Sequence, residues 1–193
     1  EEVEPALVLF IDAVFRAMEH IIPERLSAGG PATSGLLAFA EPLPDSSWRM
    51  LYEVHGGGEG ARHDRDGCPA TRVHLANTSN TPAEMIEANY AIRVERQAIR
   101  RDSGGKGAHK GGDGVIRAYR VLAPSLWLTT CVERSVMPTY GLKGGEEGKP
   151  YTITLERDGK AERLSGKANL LLKAGDLVTL EGCGGGGFGT PAA

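Results

Sequence analysis

Glycine limits what this chain can build. It has 27 glycines among 193 residues, and most fall in runs: GGGEG at 56–60, GGKG and GGDG between 104 and 114, GLKGG at 141–145 and GGGGFG at 184–189. A glycine run cannot sit inside a helix or strand without a large backbone-entropy cost, so each run is expected to be a loop. The runs are bounded by well-patterned segments, which excludes low complexity. Loops of this kind let a ligand or another chain approach the backbone closely.

The last run carries the spacing Gly184-x-Gly186-x-x-Gly189, as in a dinucleotide-binding fingerprint. That fingerprint works only where a strand leads into a helix whose N-terminus holds the pyrophosphate. DLVTLE supplies the strand, but four residues follow Gly189 and one is Pro191, so no helix is expected. A phosphate loop is excluded too, because no Gly-Lys-Ser/Thr follows. A flexible tail is the plain alternative.

The segments between the runs have clear periods. Residues 3–22 read as one amphipathic helix, with Val3, Leu7, Phe10, Ile11, Val14, Met18, Ile21 and Ile22 at helical spacing and Pro23 at or just past its end. Glu1, Glu2 and Glu4 suit the positive end of its dipole. LLAFAEP reads as a short strand. SWRMLYEVHG alternates, placing Trp48, Met50, Tyr52 and Val54 on one face. Thr81 is positioned to cap a short helix over about 82–89.

After that helix the pattern is mostly β: AIRVERQAIR, GVIRAYRVLA, LWLTTCVER, YTITLERDG, ERLSGKANLLL and DLVTLEG. Asp158-Gly159 predicts a hairpin turn, and Ala174-Gly175-Asp176 separates another pair of strands. No helix alternates with these strands, which argues against a parallel doubly wound sheet. The expectation is an α+β fold in two parts. Residues 1–90 form a helix/strand part with a Gly-rich loop, and residues 91–193 form a mainly antiparallel β lobe with Gly-rich loops.

Charge and cysteine usage narrow the function classes. A net charge of -3 provides no basic field for nucleic acid, and no stretch of 18 apolar residues spans a membrane. Cys68, Cys131 and Cys183 are odd in number and lack a C-x-x-C pair, which reads as buried neutral thiols in a cytoplasmic setting. The acidic start, EEVEPALVLF, lacks an initiator Met and is unlike a secretory signal, so the expected origin is a processed chain, a fragment or the second piece of something larger.

No complete catalytic motif stands out. His55, His63 and His74 lie in or beside one loop with Asp64 and Asp66, a ligand-type set whose spacings match no compact metal motif. The bland reading is a polar loop. Ser103 and Thr152 have no histidine at diagnostic spacing. Arg93, Arg96, Arg100 and Arg101 mark a solvated strand face or, less commonly, a phosphate- or substrate-facing one.

Four blocks taken in order carry more information than any one motif: GGGEGARHDRDGCPATRVHLANTSNTPAEMIE, RDSGGKGAHKGGDGVIRAYRVL, GLKGG and LKAGDLVTLEGCGGGGFG. Together they resemble the C-terminal portion of the hydantoinase B / 5-oxoprolinase family, across nearly the whole chain. The resemblance implies an ATP-dependent enzyme that opens cyclic amides such as hydantoins and 5-oxoproline. A hydantoinase A type partner, which binds ATP, phosphorylates the carbonyl oxygen. The B-type part then handles the activated intermediate, with a divalent metal (Zn or Mn) in an N-terminal half upstream of this sequence. Phosphorylation turns a poor leaving group into a good one, and a closed path between subunits protects the intermediate from wasteful hydrolysis.

Related ketone carboxylases, acting on acetone or acetophenone, make carboxylation the alternative activity, and a non-catalytic scaffold role is a third. On this resemblance the partners are the N-terminal half of the B-type subunit, on which the 1–90 part and its first helix are expected to pack, the A-type subunit, and a small cyclic amide or ketone. No metal is expected in this chain alone, and the chain alone is expected to be inactive. Candidate site or interface residues are Gly56, Gly57, Gly58 and Glu59 in the first loop and Ser103, Gly104, Gly105 and Lys110 in the second, with His55, His63 and His74 as further contributors. The sequence departs from the family at the last block, where Cys183 stands for the usual Pro and Gly189-Thr190-Pro191 for the usual Gly-Asp-Pro.

Overall fold

A computed structural model describes residues 3–32, 35–74 and 78–192. Helix α1 spans Val3–Met18, and a 3-10 turn at Pro23–Arg25 follows it. Strands β1 (Gly35–Pro42) and β2 (Trp48–His55) form an antiparallel hairpin. Helix α2 (Ala83–Asn89) leads into β3 (Ile92–Arg100) and β4 (Gly114–Val121). The remaining strands are β5 (Ser125–Cys131), β6 (Thr152–Arg157), β7 (Lys160–Leu164), β8 (Lys167–Lys173) and β9 (Leu177–Glu181).

The strands form two sheets, one in the order β2-β1-β5-β8 and the other β3-β4-β9-β6-β7, with every pairing within them antiparallel. The described residues are thus mostly antiparallel sheet with two α-helices, and β structure outweighs α more than the expected helix/strand first part implied. The first sheet joins β1 and β2 to β5 and β8, so it draws on both sides of residue 90.

The sheets pack face to face. Leu37, Phe39 and Leu128 of the first meet Tyr119, Ile153 and Leu180 of the second in one buried cluster. The Phe39 and Tyr119 rings tie the layers together, with centroids 5.2 Å apart. Alternating inward apolar residues explain why these segments are strands in a sandwich.

Several local expectations are met and several are corrected. Asp158 and Gly159 both take positive φ, 50° and 74°, the backbone of a type I′ hairpin between β6 and β7. The segment ERLSGKANLLL is two strands rather than one. It breaks at Ser165-Gly166: β7, before the break, lies at the edge of one sheet, and β8, after it, at the edge of the other. At Ala174-Gly175-Asp176 the chain crosses between sheets, with Gly175 at φ 91°. Thr81 does not cap α2: Pro82 occupies the cap position, and the Thr81 carbonyl accepts from Arg117 instead.

Helix α1 ends at Met18, short of Pro23, which opens the 3-10 turn instead. Glu1 and Glu2 lie outside the described residues. Among the described residues no helix is long and apolar enough to cross a membrane.

The alternation in β2 is as expected, but its apolar face points outward. Trp48, Met50 and Tyr52 are more than half exposed, whereas Leu51, Glu53 and His55 are buried. The cause is the polar pair on the inward face, which finds its partners inside the sandwich.

Candidate functional site

The four glycine runs meet at one end of the sandwich and lace together through their backbones. The Gly58 N–H donates to the Cys183 carbonyl at 2.9 Å, and Gly112 N–H to the Glu59 carbonyl at 2.8 Å. Gly185 N–H donates to Gly112 at 2.9 Å, and Gly105 N–H to Gly185 at 2.8 Å. Ala61 N–H reaches Gly186, Gly187 N–H reaches Glu146, and Gly184 N–H reaches Lys149. The first, second and last blocks are therefore joined directly, and the GLKGG loop closes on them.

Glycine is required here by space. A Cβ on Gly185 would lie 1.9 Å from the Glu59 carbonyl oxygen, and one on Gly104 1.9 Å from that of Gly111. Neither residue has a positive φ. The N–H groups that could have cradled an anion are committed to one another, so the last run is a strut and not a phosphate loop. Helix α1 covers this slab: Phe15 and Met18 pack on Leu26, Ala28, Ala61, Leu142 and Phe188.

Ser103, Gly104 and Lys110 are gathered around one unforeseen residue, Asp113, while Gly105 bonds to Gly185 and Gly111 instead. Its Oδ1 accepts from the N–H of Ser103 at 3.0 Å and of Gly104 at 2.9 Å, and Lys110 Nζ stands 3.2 Å from the same carboxylate. Burial alone would raise the Asp113 pKa, but these donors and the Lys110 charge outweigh it and hold the carboxyl below its ordinary value. The Ser103 hydroxyl donates to the Arg100 carbonyl at 2.7 Å and accepts from Gly114 N–H at 2.8 Å. Both its roles are used in holding the loop, so the hydroxyl is not poised as a nucleophile.

Gly56, Gly57 and Gly58 are buried against Thr71, Cys183 and Gly112 respectively. Of the three thiols expected to be buried only Cys183 is; Cys131 is half-buried and Cys68, on the loop surface, is exposed. The Glu59 side chain accepts from Cys68 N–H at 3.2 Å. The sequence signal for Asp113 lay in the GGDG of the second block: a short acceptor among donors that have no side chains.

The three histidines do not come together. His55 is fully buried between the sheets. Its Nδ1 lies 2.9 Å from the Gly35 carbonyl oxygen, so it carries the proton, and Nε2 accepts from the Tyr119 hydroxyl at 2.7 Å. Burial, countered in part by the Gly35 carbonyl, lowers its pKa to about 4. His63 is half exposed beside Asp64 at 3.9 Å. His74 lies against Phe15, its Nε2 3.9 Å from Asp12 and without a hydrogen bond. Among the described residues no three His, Cys, Asp or Glu side chains converge on a point that could hold a metal ion, so this chain's described residues do not by themselves fit the implied metal.

Two buried ionic clusters escaped sequence reading. Glu53 and Arg117 pair between the sheets, where Tyr119 also reaches Glu53 at 3.2 Å. Asp12 of α1 is buried against Arg134, and the Tyr140 hydroxyl donates to its carbonyl at 3.1 Å. The available signal was a charge on an otherwise apolar stripe in GVIRAYRV and the first helix; WRMLYEVH carried none, because Glu53 shares its face with Arg49 and His55.

Fold and site together define a two-sheet antiparallel domain whose loops are welded by a glycine slab. The chain belongs to the Hydantoinase B/oxoprolinase family, whose sequence profile matches residues 5–191. It is 34% identical over 181 residues to the Methanocaldococcus jannaschii protein MJ0963, covering 94% of this chain and 31% of that one. It is 37% identical over 142 residues to 5-oxoprolinase 1 of Arabidopsis thaliana, covering 72% of this chain and 11% of that one. The putative B-type subunit of a D-/L-hydantoinase from Pseudomonas sp. (strain NS671) is 29% identical over 184 residues, covering 93% and 30%.

Two solved structures share the fold. The ATP-dependent caprolactamase from Pseudomonas jessenii has a TM-score of 0.78 at 24% identity, covering 91% of this chain and 32% of that one. Nucleotide-free acetone carboxylase has a TM-score of 0.76 at 17% identity, covering 91% and 29%. The chain thus spans about a third or less of each of these relatives.

Proposed function

We propose that this chain is the C-terminal part of a B-type subunit in an ATP-dependent cyclic-amide hydrolase of hydantoinase/oxoprolinase type. The carrying observation is the knitting of all four family blocks into one slab, within a chain whose family match runs from residue 5 to 191. Such a slab is a rigid wall, and rigid walls position loops for a site completed by other elements. In this reading Glu59, Lys110 and the loops around Gly56–Gly58 and Ser103–Gly105 border the site or a subunit interface. The divalent metal belongs to the N-terminal half of the subunit, ATP belongs to an A-type partner, and the B-type part acts on the phosphorylated intermediate.

The seat for the rest of the B-type subunit is the outward face of the first sheet. Met50, Ala40, Trp127 and Leu171 are in register across all four strands, with Trp48 and Tyr52 on the same face. Relatives about three times as long carry the polypeptide that would cover it. Exposed apolar patches of this kind mark protein interfaces.

Native mass spectrometry of the assembly, with turnover of 5-oxoproline and hydantoin in the presence of ATP, tests the reading. Expected are a co-purifying N-terminal half and A-type chain, and ATP-dependent ring opening that is lost when this chain is absent. Full turnover without this chain would leave it a scaffold. The shared fold with acetone carboxylase favours a second reading, ketone carboxylation. Loss of acetone that requires both ATP and bicarbonate, with no ring opening, would select that one.

A further inference from the structure

The outer face of the second sheet holds a recess of about 560 Å³, a volume in the range of small-molecule pockets. Its walls carry Arg96, Arg100, Arg101 and Lys149, with Ile116 and Glu181. A bulge in β3 creates it. Val94 pairs with the inward Tyr119, and the register then shifts so that Arg96 pairs with Ala118 and Arg100 with Gly114. Without the extra residue Arg96 and Arg100 would point into the sandwich, since a one-residue slip exchanges the faces of a strand. The shift aims both outward, onto the face of Ile116 and its cross-strand neighbour Glu181.

Arg100 is fixed in place. Its side chain is 14% exposed, Nη1 donates to the carbonyls of Pro150 at 2.7 Å and Gly182 at 3.1 Å, and Nη2 lies 3.5 Å from Glu181. Arg96, Arg101 and Lys149 are exposed, and among the described residues their side chains make no ion pair or hydrogen bond. Four cations against one carboxylate converge on one recess, in a chain whose overall net charge is -3. Like charges held together without partners repel each other, and an anionic ligand removes that cost.

We propose that this recess binds the phosphate group of a phosphorylated small molecule. Three unpaired cations exceed what a single carboxylate needs, whereas a phosphate dianion with three acceptor oxygens uses them all. Two free guanidinium forks suit phosphate geometry, and Ile116 with the edge of Ile99 leaves an apolar side for an organic body. The proposal is independent of the ring-opening reading, because it concerns binding and does not require turnover.

Calorimetric titration at low ionic strength tests it, using the intact protein that carries this chain with inorganic phosphate, phenyl phosphate, acetate and a hexaglutamate peptide. The expected result is saturable binding of phosphate and of phenyl phosphate, the latter tighter, with acetate at least tenfold weaker. The R96Q/R101Q/K149Q variant should retain the wild-type melting temperature and bind phosphate at least tenfold more weakly, and R101K alone should bind phosphate more tightly than R101Q alone. Absence of saturable phosphate binding, equal binding by the triple variant, or acetate binding as tightly as phosphate would each overturn it. Tight hexaglutamate binding without phosphate binding would overturn it as well, making the recess a seat for an acidic chain.

Discussion

A Cβ built on Gly58 would stand 1.7 Å from the carbonyl oxygen of Gly112, well inside van der Waals contact. Gly58 has no positive φ, so space and not conformation requires glycine here. Gly58→Ala must therefore separate the first and second loops and break the bonds they share with the last. Overpacking of this kind costs about 1–3 kcal/mol, and more where backbone must move. Gly159 is the control: its φ of 74° matters, but nothing lies within 4 Å of its Cβ position. Gly159→Asn, which tolerates that φ, should leave the urea midpoint nearly unchanged while Gly58→Ala lowers it.

Glu53 and Arg117 are 3% and 1% exposed, an ion pair sealed between two sheets. Removing one partner strands the other charge, so Glu53→Leu or Arg117→Met alone should cost about 3–5 kcal/mol. The double variant replaces the pair with apolar groups and should cost far less than the sum. A double-mutant cycle read by denaturant unfolding checks this. Additive losses would mean that the two charges are not coupled as the geometry indicates.

His55 supplies a pH dependence with a definite sign. Its pKa falls from 6.5 to about 4 on folding, so the unfolded chain binds the proton and the folded chain does not in that interval. Its contribution is complete above pH 6.5 and is lost as pH falls toward 4, by up to about 3 kcal/mol from a shift of this size. His55→Asn should be less stable at neutral pH yet show a flatter decline between those limits. An unchanged slope in that variant would assign the dependence to other groups.

Much of the fold was legible because strand period, turn chemistry and glycine placement are local. Asp158-Gly159 specifies its turn by backbone preference alone, and the glycine runs marked loops, apart from Gly114, which opens β4. Three kinds of information were not local. The break at Ser165-Gly166 sends β7 and β8 to different sheets, a decision made by partners far along the chain. The outward turn of the Trp48–Met50–Tyr52 face depends on Glu53 and His55 finding Arg117 and Tyr119, both beyond residue 115. Asp113 is ordinary in sequence and becomes the hub of the second loop only because Ser103, Gly104 and Lys110 fold back around it.

The row Met50–Ala40–Trp127–Leu171 makes the proposed seat for the rest of the B-type subunit directly testable. Met50 is 57% exposed and Trp127 41%, so neither holds up the core between the sheets. A carboxylate at either position stays solvated in the free chain and is forced out of water when a partner covers the sheet. Met50→Glu with Trp127→Glu should therefore leave the sandwich's melting temperature within a few degrees while weakening association at least tenfold, since each uncompensated buried charge is strongly unfavourable. Sedimentation velocity of the complete assembly, wild type against variant, measures it. A conservative pair, Met50→Leu with Trp127→Phe, should assemble normally. If the glutamate variant assembles like wild type, the face is not the contact, and the exposed first turns of α1 around Leu7 and Phe10 become the surface to examine.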